Sequence, residues 1–311
     1  MVVRYVGLGK ESSFGTEVSP VRFIDLARET LTQRHDWIVP ELAAYRDARY
    51  ALKGPIRVEG SLDMYVRADN IGEILMGLMG DVVTEQPDPE NAPSVYNHTF
   101  KMADSLPSYT VRVASEVTAR KFLGCVVRRV EFTCAPGEIL GASVDFVGRE
   151  EQPDTPGTPS WGEAPFFTFA DCRVECPFDT PVNVRAFTLR IENDLVDDWY
   201  VLGDRRLAEI PVRGFTVEGS FDAMFTDRTH LDRFLNAEEF SLRIKFEGPE
   251  IEGGLRYLLM LEVPRCLPTA AGANVDRREL LVEGVEFRGV RDVGFAEGIV
   301  KISLQNKVSG Y

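Results

Sequence analysis

Carboxylates at a fixed spacing are the first residues in this chain with a chemical reading. Glu59 and Asp63 stand in the stretch VEGSLDMYV, Val58–Val66, and Glu218 and Asp222 in its near copy VEGSFDAMF, Val217–Phe225. Paired carboxylates serve glycoside hydrolysis when they lie within about 5–10 Å of each other. Positions i and i+4 of an extended strand are roughly 13 Å apart. Neither pair is therefore catalytic within its own strand, although pairing across strands stays open. His35, His98 and His230 fall in no two-histidine metal spacing. Cys172-x3-Cys176 is the only close cysteine pair, with no second pair and no histidine at finger spacing, so it reads as two ordinary thiols flanking a strand. Gly7-Leu8-Gly9-Lys10 lacks the phosphate-loop pattern, because Glu11 follows the lysine where Ser or Thr is required and would repel phosphate. A G-x-S-x-G nucleophile turn is absent. The expectation is no catalytic residue, no metal, no cofactor and no enzyme.

The repeated carboxylates point instead to the elements that carry them. Side chains alternate between the two faces of a strand. In the first copy Glu59, Ser61 and Asp63 share one face and Val58, Gly60, Leu62 and Met64 the other. In the second, Glu218, Ser220 and Asp222 oppose Val217, Gly219, Phe221 and Ala223. The same residue types thus recur on the same polar face, half a chain apart.

The flanking elements recur too. Before residue 149 the order reads strand (Phe23–Leu31), long loop (Thr32–Gly54), strand (Pro55–Val66), helix (Asn70–Met79), then strands at Val95–Phe100, Tyr109–Ser115, Phe122–Thr133 and Ile139–Gly148. The helix puts Ile71, Ile74, Leu75, Leu78 and Met79 on one face, with Asn70 and Glu73 as a capping box and Gly80 as its stop. Ala135-Pro136-Gly137 makes the turn of the last hairpin. An acidic insertion, Asp81–Ser94, reads as a surface loop. After residue 165 come strands at Val184–Glu192 and Ile210–Phe225, a short helix at Thr229–Asn236, and strands at Phe240–Glu247, Leu255–Val263, Glu279–Arg288 and Phe295–Gln305. Val130-Glu131-Phe132 and Val285-Glu286-Phe287 fall on the penultimate strand of each half. Between the halves, Arg149–Pro165 holds Pro153, Pro156, Pro159 and Pro165 and reads as a linker. Internal duplication accounts for this order. The fold class is mainly β (α+β), with two tandem domains each carrying one helix.

Composition bounds the rest. The chain has 311 residues, 44% hydrophobic and 27% charged, as expected of a soluble protein with real cores. No run approaches the roughly 18 apolar residues of a membrane span, and the first residues lack the apolar stretch of a secretion signal. Five scattered cysteines suggest folding in a reducing cytosol. A net charge of −14 argues against tight nucleic-acid binding.

The segment GKESSFGTEVSPVRFIDLARETL, Gly9–Leu31, resembles the opening of tail tube proteins from tailed viruses of bacteria and archaea. Gly9, Glu11, Gly15, Thr16, Pro20, Phe23 and Ile24 match an arm, a proline and a Phe-Ile strand, and Gly60-Ser61 and Leu75–Gly80 match the strand and helix that follow. The second half, from Ala186 through Gly219-Ser220 to Lys307, is similar to another such domain. The resemblance implies an arm at 1–20, tail tube domains at 21–150 and 166–311, and a linker at 151–165. Each domain would be a β-sandwich or partial barrel with a flanking helix. Duplicated members form trimeric rings with pseudo-sixfold symmetry, whose strands join into one large β-barrel of about 24 strands if each domain gives four. Stacked rings form the tube through which viral DNA is delivered without tight binding.

On that resemblance, Glu59, Ser61, Asp63, Glu218, Ser220 and Asp222 are expected to face the lumen. Trp37, Ile38, Leu42, Tyr45 and Tyr50 on the long loop are expected to touch the next ring, with the arm Met1–Pro20 and the tail Lys307–Tyr311 as further reaching parts. Implied partners are further copies of the chain and the tape measure, tail terminator and tail-tip proteins, with no membrane insertion. The implied location is the virion tail, after assembly in the host cytoplasm. A distal tail, hub or terminator protein is the alternative. A two-domain carbohydrate- or receptor-binding module is the second, and it would carry aromatic platforms repeated in both halves. Trp37, Trp161 and Trp199 do not repeat at the spacing of the duplicated strand.

Overall fold

The computed structural model describes residues 4–115, 118–224, 229–273 and 282–311, with the backbone alone for Leu26, His230 and Ala273. The expected element ends at Met1–Val3, Phe225 and Glu279–Leu281 lie outside the described residues. The first half holds β1 (Tyr5–Lys10), β2 (Arg22–Ile24), β3 (Leu26–Glu29), β4 (Thr32–Ile38), β5 (Leu52–Tyr65), α1 (Gly72–Met79), β6 (Gly80–Glu85), β7 (Tyr96–Met102), β8 (Tyr109–Ala114), β9 (Ala119–Cys134), β10 (Gly141–Gly148) and β11 (Glu150–Asp154). The second holds β12 (Cys172–Glu175), β13 (Pro181–Val182), β14 (Val184–Leu195), β15 (Val212–Met224), α2 (Thr229–Leu235), β16 (Phe240–Glu252), β17 (Leu255–Ala273), β18 (Val282–Gly289) and β19 (Lys301–Asn306). The protein is mainly β with two helices, and the pairings between its named strands are antiparallel.

One continuous wall runs through both halves. Its order is β3 and β4, then β5, β10, β9, β14, β15, β18 and the second half of β17. Along most of the wall the strands alternate between a buried and a polar face. Val58, Leu62, Val130, Phe132, Val144, Phe146, Leu189, Ile191, Val217, Phe221, Val285 and Phe287 turn inward and are almost fully buried. Facing them is a second layer, in which β8 and β11 pair with the first half of β9, and β16 and β19 with the first half of β17. β19 also pairs with β7, so the halves meet in both layers and share one hydrophobic cluster.

Several pairings recur in each half, two of them with matching register shifts. β10 meets β5 and β9 as β18 meets β15 and β17. The β9–β10 register shifts beside Asp145, and the β17–β18 register shifts opposite Glu286, where Ala270 follows Pro268. β8 slips against β9 between Tyr109 and Val111, and β16 against β17 between Phe240 and Leu242. This register corrects one expectation. Val285-Glu286-Phe287 corresponds to Val144-Asp145-Phe146 of β10, each being the direct partner of the repeated strand, and not to Val130-Glu131-Phe132 of β9.

Other elements differ from the sequence reading for local reasons. Helix α1 begins at Gly72, with Ile71 as N-cap and no side-chain cap bond. Asn70 is otherwise engaged, its Oδ1 accepting from the Arg67 amide at 2.9 Å and its Nδ2 donating to the Tyr65 carbonyl at 3.1 Å. All eight helical residues are buried, not one face alone. Gly80 does end the helix, in the left-handed conformation at φ 89°. The expected loop Thr32–Gly54 is largely a hairpin, with β4 and the start of β5 leaving only 39–51 as its tip. The insertion Asp81–Ser94 contributes strand β6, and the expected linker opens as β11, whose Pro153 sits on a strand that, among the described residues, pairs with β9 alone.

Candidate functional site

The wall brings the two expected carboxylate sets into one surface. Directly opposed residues of neighbouring strands share a face. Asp63, Ser143, Glu131, Arg190, Glu218 and Arg288 lie side by side, one from each of six strands. Next to that row, towards the loop 39–51, lie Ser61, Asp145, Arg129, Glu192 and Thr216. On its other side lie Tyr65, Gly141, Thr133, Thr188, Ser220 and Glu286. Glu218 and Asp222 are exposed, and Glu59, Ser61, Asp63 and Ser220 are half-buried. All six residues therefore stand on one polar face, opposite the core.

This face is not purely acidic. Arginines at intervening positions engage the carboxylates: Arg34 with Glu59 at 3.2 Å, Arg129 with Asp145 at 2.6 Å, and Arg288 with Glu218 at 3.9 Å. Burial pushes the Asp145 carboxyl up against the downward pull of Arg129. Asp63 instead accepts from the Ser143 hydroxyl at 2.7 Å, and Ser61 shares a 2.9 Å hydrogen bond with Thr30. Sequence reasoning missed these arginines because they sit on strands without the repeated motif. Two shallow grooves mark the face at matching places, one beside Gly60, Ser61 and Glu59, the other beside Gly219, Ser220 and Glu218. Glycine is required at their floor. A Cβ on Gly60 would lie 2.5 Å from the Leu31 backbone, and one on Gly219 2.6 Å from the Phe287 ring.

The five residues expected to touch a neighbouring ring form an exposed apolar tip. Trp37 and Ile38 end β4, and Leu42, Tyr45 and Tyr50 lie on 39–51, with Trp37 60% exposed. The second half carries a loop at the same end of the wall, between β14 and β15, which the sequence reading passed over. Its Trp199, Val201 and Leu202 are exposed, Trp199 by 54%. This loop is tied to β5 at the base of the tip: the Tyr200 hydroxyl donates to the Ile56 carbonyl at 2.9 Å, and Arg205 Nε to the Gly54 carbonyl at 2.7 Å. Exposed tryptophans thus occur in corresponding connections, although their spacing in the sequence differs.

The arm and the tail are parts of the chain's own body. β1 pairs with β2 and β8, and Tyr5, Val6 and Leu8 are buried. The Glu11 carboxylate accepts from the Ser108 hydroxyl at 2.6 Å, the Thr110 hydroxyl at 2.9 Å, the Gly124 amide at 2.9 Å and the Gly15 amide at 2.8 Å. The Gly-x-Glu signature is therefore a buried tie between the first turn, β8 and β9. At the other end, the Tyr311 hydroxyl accepts from Asn306 Nδ2 at 2.7 Å, and its ring meets His98 edge-on.

Burial pushes the thiols of Cys134 and Cys176 up to about 11 and that of Cys172 up to about 12, far from the thiolate range. Among the described residues no group of three His, Cys, Asp or Glu is placed to hold a metal ion. Among them, too, no helix is long and apolar enough to cross a membrane.

Compared with known families, residues 3–289 match the family described as phage tail tube protein. No curated protein matches the chain.

Proposed function

The chain belongs to the phage tail tube protein family, and from that premise we propose that it is a duplicated subunit which assembles as trimers into stacked rings. The two units are 21–150 and 166–311, joined through 151–165. The observation that carries this reading is the wall itself: four strand positions from each half lie side by side, joined by the β9–β14 pairing. Three such chains give about 24 strands. At about 4.8 Å between strands, that ring is roughly 37 Å across before strand tilt widens it. Such a barrel leaves an open channel for duplex DNA.

The polar face, with Glu59, Ser61, Asp63, Glu218, Ser220 and Asp222, is the lumen wall. Its arginines are held by neighbouring carboxylates, so phosphates meet a surface with few free cations and slide past it. The apolar tip at Trp37, Ile38, Leu42, Tyr45 and Tyr50, together with Trp199 and Leu202, is the contact with the next ring. Tape measure, terminator and tip proteins are the further partners, in a virion tail assembled in the host cytoplasm, and the role is structural, without catalysis. Electron microscopy of the purified protein tests this reading. Long tubes are expected; single rings that never stack would instead favour a distal tail, hub or terminator protein.

A further inference from the structure

The β9–β14 junction joins the two halves within one chain, and each of its partners has a counterpart that carries no strand on its outer edge among the described residues. The second half of β17 corresponds to β9: Val130 faces Val144 of β10, and Ala271 faces Val285 of β18. The end formed by β3 and β4 corresponds to β14: Thr30 bonds Ser61, as Thr188 lies opposite Ser220. Among the described residues no strand pairs with the outer edge of β17 beyond Cys266. Exposed edges are normally blunted by charge, proline or a bulge; Leu267–Ala273 carries no charge, and its proline and register shift, at Pro268, come before Ala270–Ala273. At the opposite edge, side chains occupy the backbone groups that a strand would take. Arg120 donates to the Leu31 carbonyl at 3.3 Å, and the Gln33 amide donates to the Glu151 carboxylate, also at 3.3 Å. Both bonds are long, and the corresponding Leu189 and Ile191 pair with β9.

We propose that β17 of one chain pairs antiparallel with the β3–β4 edge of a second copy in the register of the internal junction, displacing the Arg120 and Glu151 caps. Ile191 lies opposite Val130 and Glu192 opposite Arg129. Gln33 therefore lies opposite Ala271, and Arg34 opposite Ala270, of the neighbouring chain. The Gln33 amide points outward, so Gln33–Ala271 is the hydrogen-bonded pair and Arg34–Ala270 the closer, non-bonded one, within disulfide reach at about 4.5 Å between Cα atoms. Ala270, being small, also leaves Arg34 a path across the edge strand to Glu286, which Ala270 faces within its own chain.

This inference rests on the ring reading, and cross-linking separates the two. The full-length chain with Arg34→Cys and Ala270→Cys is oxidised under tube-forming conditions, beside a shifted control with Arg34→Cys and Gly272→Cys. The expected result is covalently linked chains at least tenfold in excess of the control. Tubes in which the matched pair links no better than the control overturn the register and leave the ring reading standing. A chain that stays monomeric overturns both. Ala271→Pro gives a second arm, since it removes only an outward amide. It is expected to fold with unchanged circular dichroism and to form no rings; rings from this variant contradict the proposal.

Discussion

At the scale of single residues, the family signature turns out to be structural chemistry. Gly9-x-Glu11 was legible as a motif, but the physical content of Glu11 lay in residues distant in the chain. Ser108, Thr110 and Gly124 all converge on its carboxylate. Glu11→Ala leaves those buried donors unsatisfied, and a loss of about 3 kcal/mol or more follows. Thermal unfolding is expected to show a midpoint lowered by several degrees, whereas a variant with wild-type stability would remove the tie. The lumen candidates behave differently. Glu218 and Arg288 are both about half exposed, and their 3.9 Å pair adds little to stability. Alternation along one strand was enough to place the Glu-Ser-Asp face. Arg129, Arg190 and Arg288 joined it only through cross-strand register, which no local pattern reveals.

At the scale of elements, strands with strict alternation were readable and those set by partners were not. Tyr96–Met102, Tyr109–Ala114 and Gly141–Gly148 lie close to their expected positions. β4 was hidden because its residues, TQRHDWI, are mostly polar on both faces. They form a strand because β5 offers a ladder. β11 was hidden by Pro153, which is tolerated where no second neighbour needs its amide. The apolar tip at 39–51 supplies a prediction at this scale. Replacing residues 40–50 by a short turn leaves β4 and β5 paired, so the chain is expected to form single rings that fail to stack. Normal long tubes from that variant would remove the inter-ring role.

A second prediction concerns the contact of β7 with β19. Buried His98 donates or accepts at both ring nitrogens, to Thr84 at 2.9 Å and to Asn306 at 3.1 Å. Asn306 Nδ2 donates to Ala68 and Tyr311, so its Oδ1 receives the His98 Nε2 proton, which leaves Nδ1 to the Thr84 hydroxyl. Burial, aided by Arg22, holds the His98 pKa below the usual histidine value. The unfolded chain therefore binds the proton more readily, and stability rises with pH. The contribution is complete above the ordinary value of about 6.5 and is lost as pH falls through the depressed one. Thermal midpoints of the wild type are expected to drop between pH 7.5 and 5.5 by more than those of His98→Gln; equal slopes would exclude His98 as the cause.

At the scale of the molecule, sequence reading identified mainly β architecture and the recurrence of one strand. The pairing that matters most lay beyond its reach. That β9 leaves the outer layer and joins β14 in a common wall follows from sixteen residues spanning both layers, with different partners at each end. The central claim is that three chains close this wall into one channel with the polar face inside. A cross-section of the assembled tube by cryo-electron microscopy tests it most directly. Three chains per ring are expected, with about 24 strands around the lumen and Glu59, Asp63, Glu218 and Asp222 lining the channel. A ring of another number, or a map with these carboxylates on the outer wall, would contradict it.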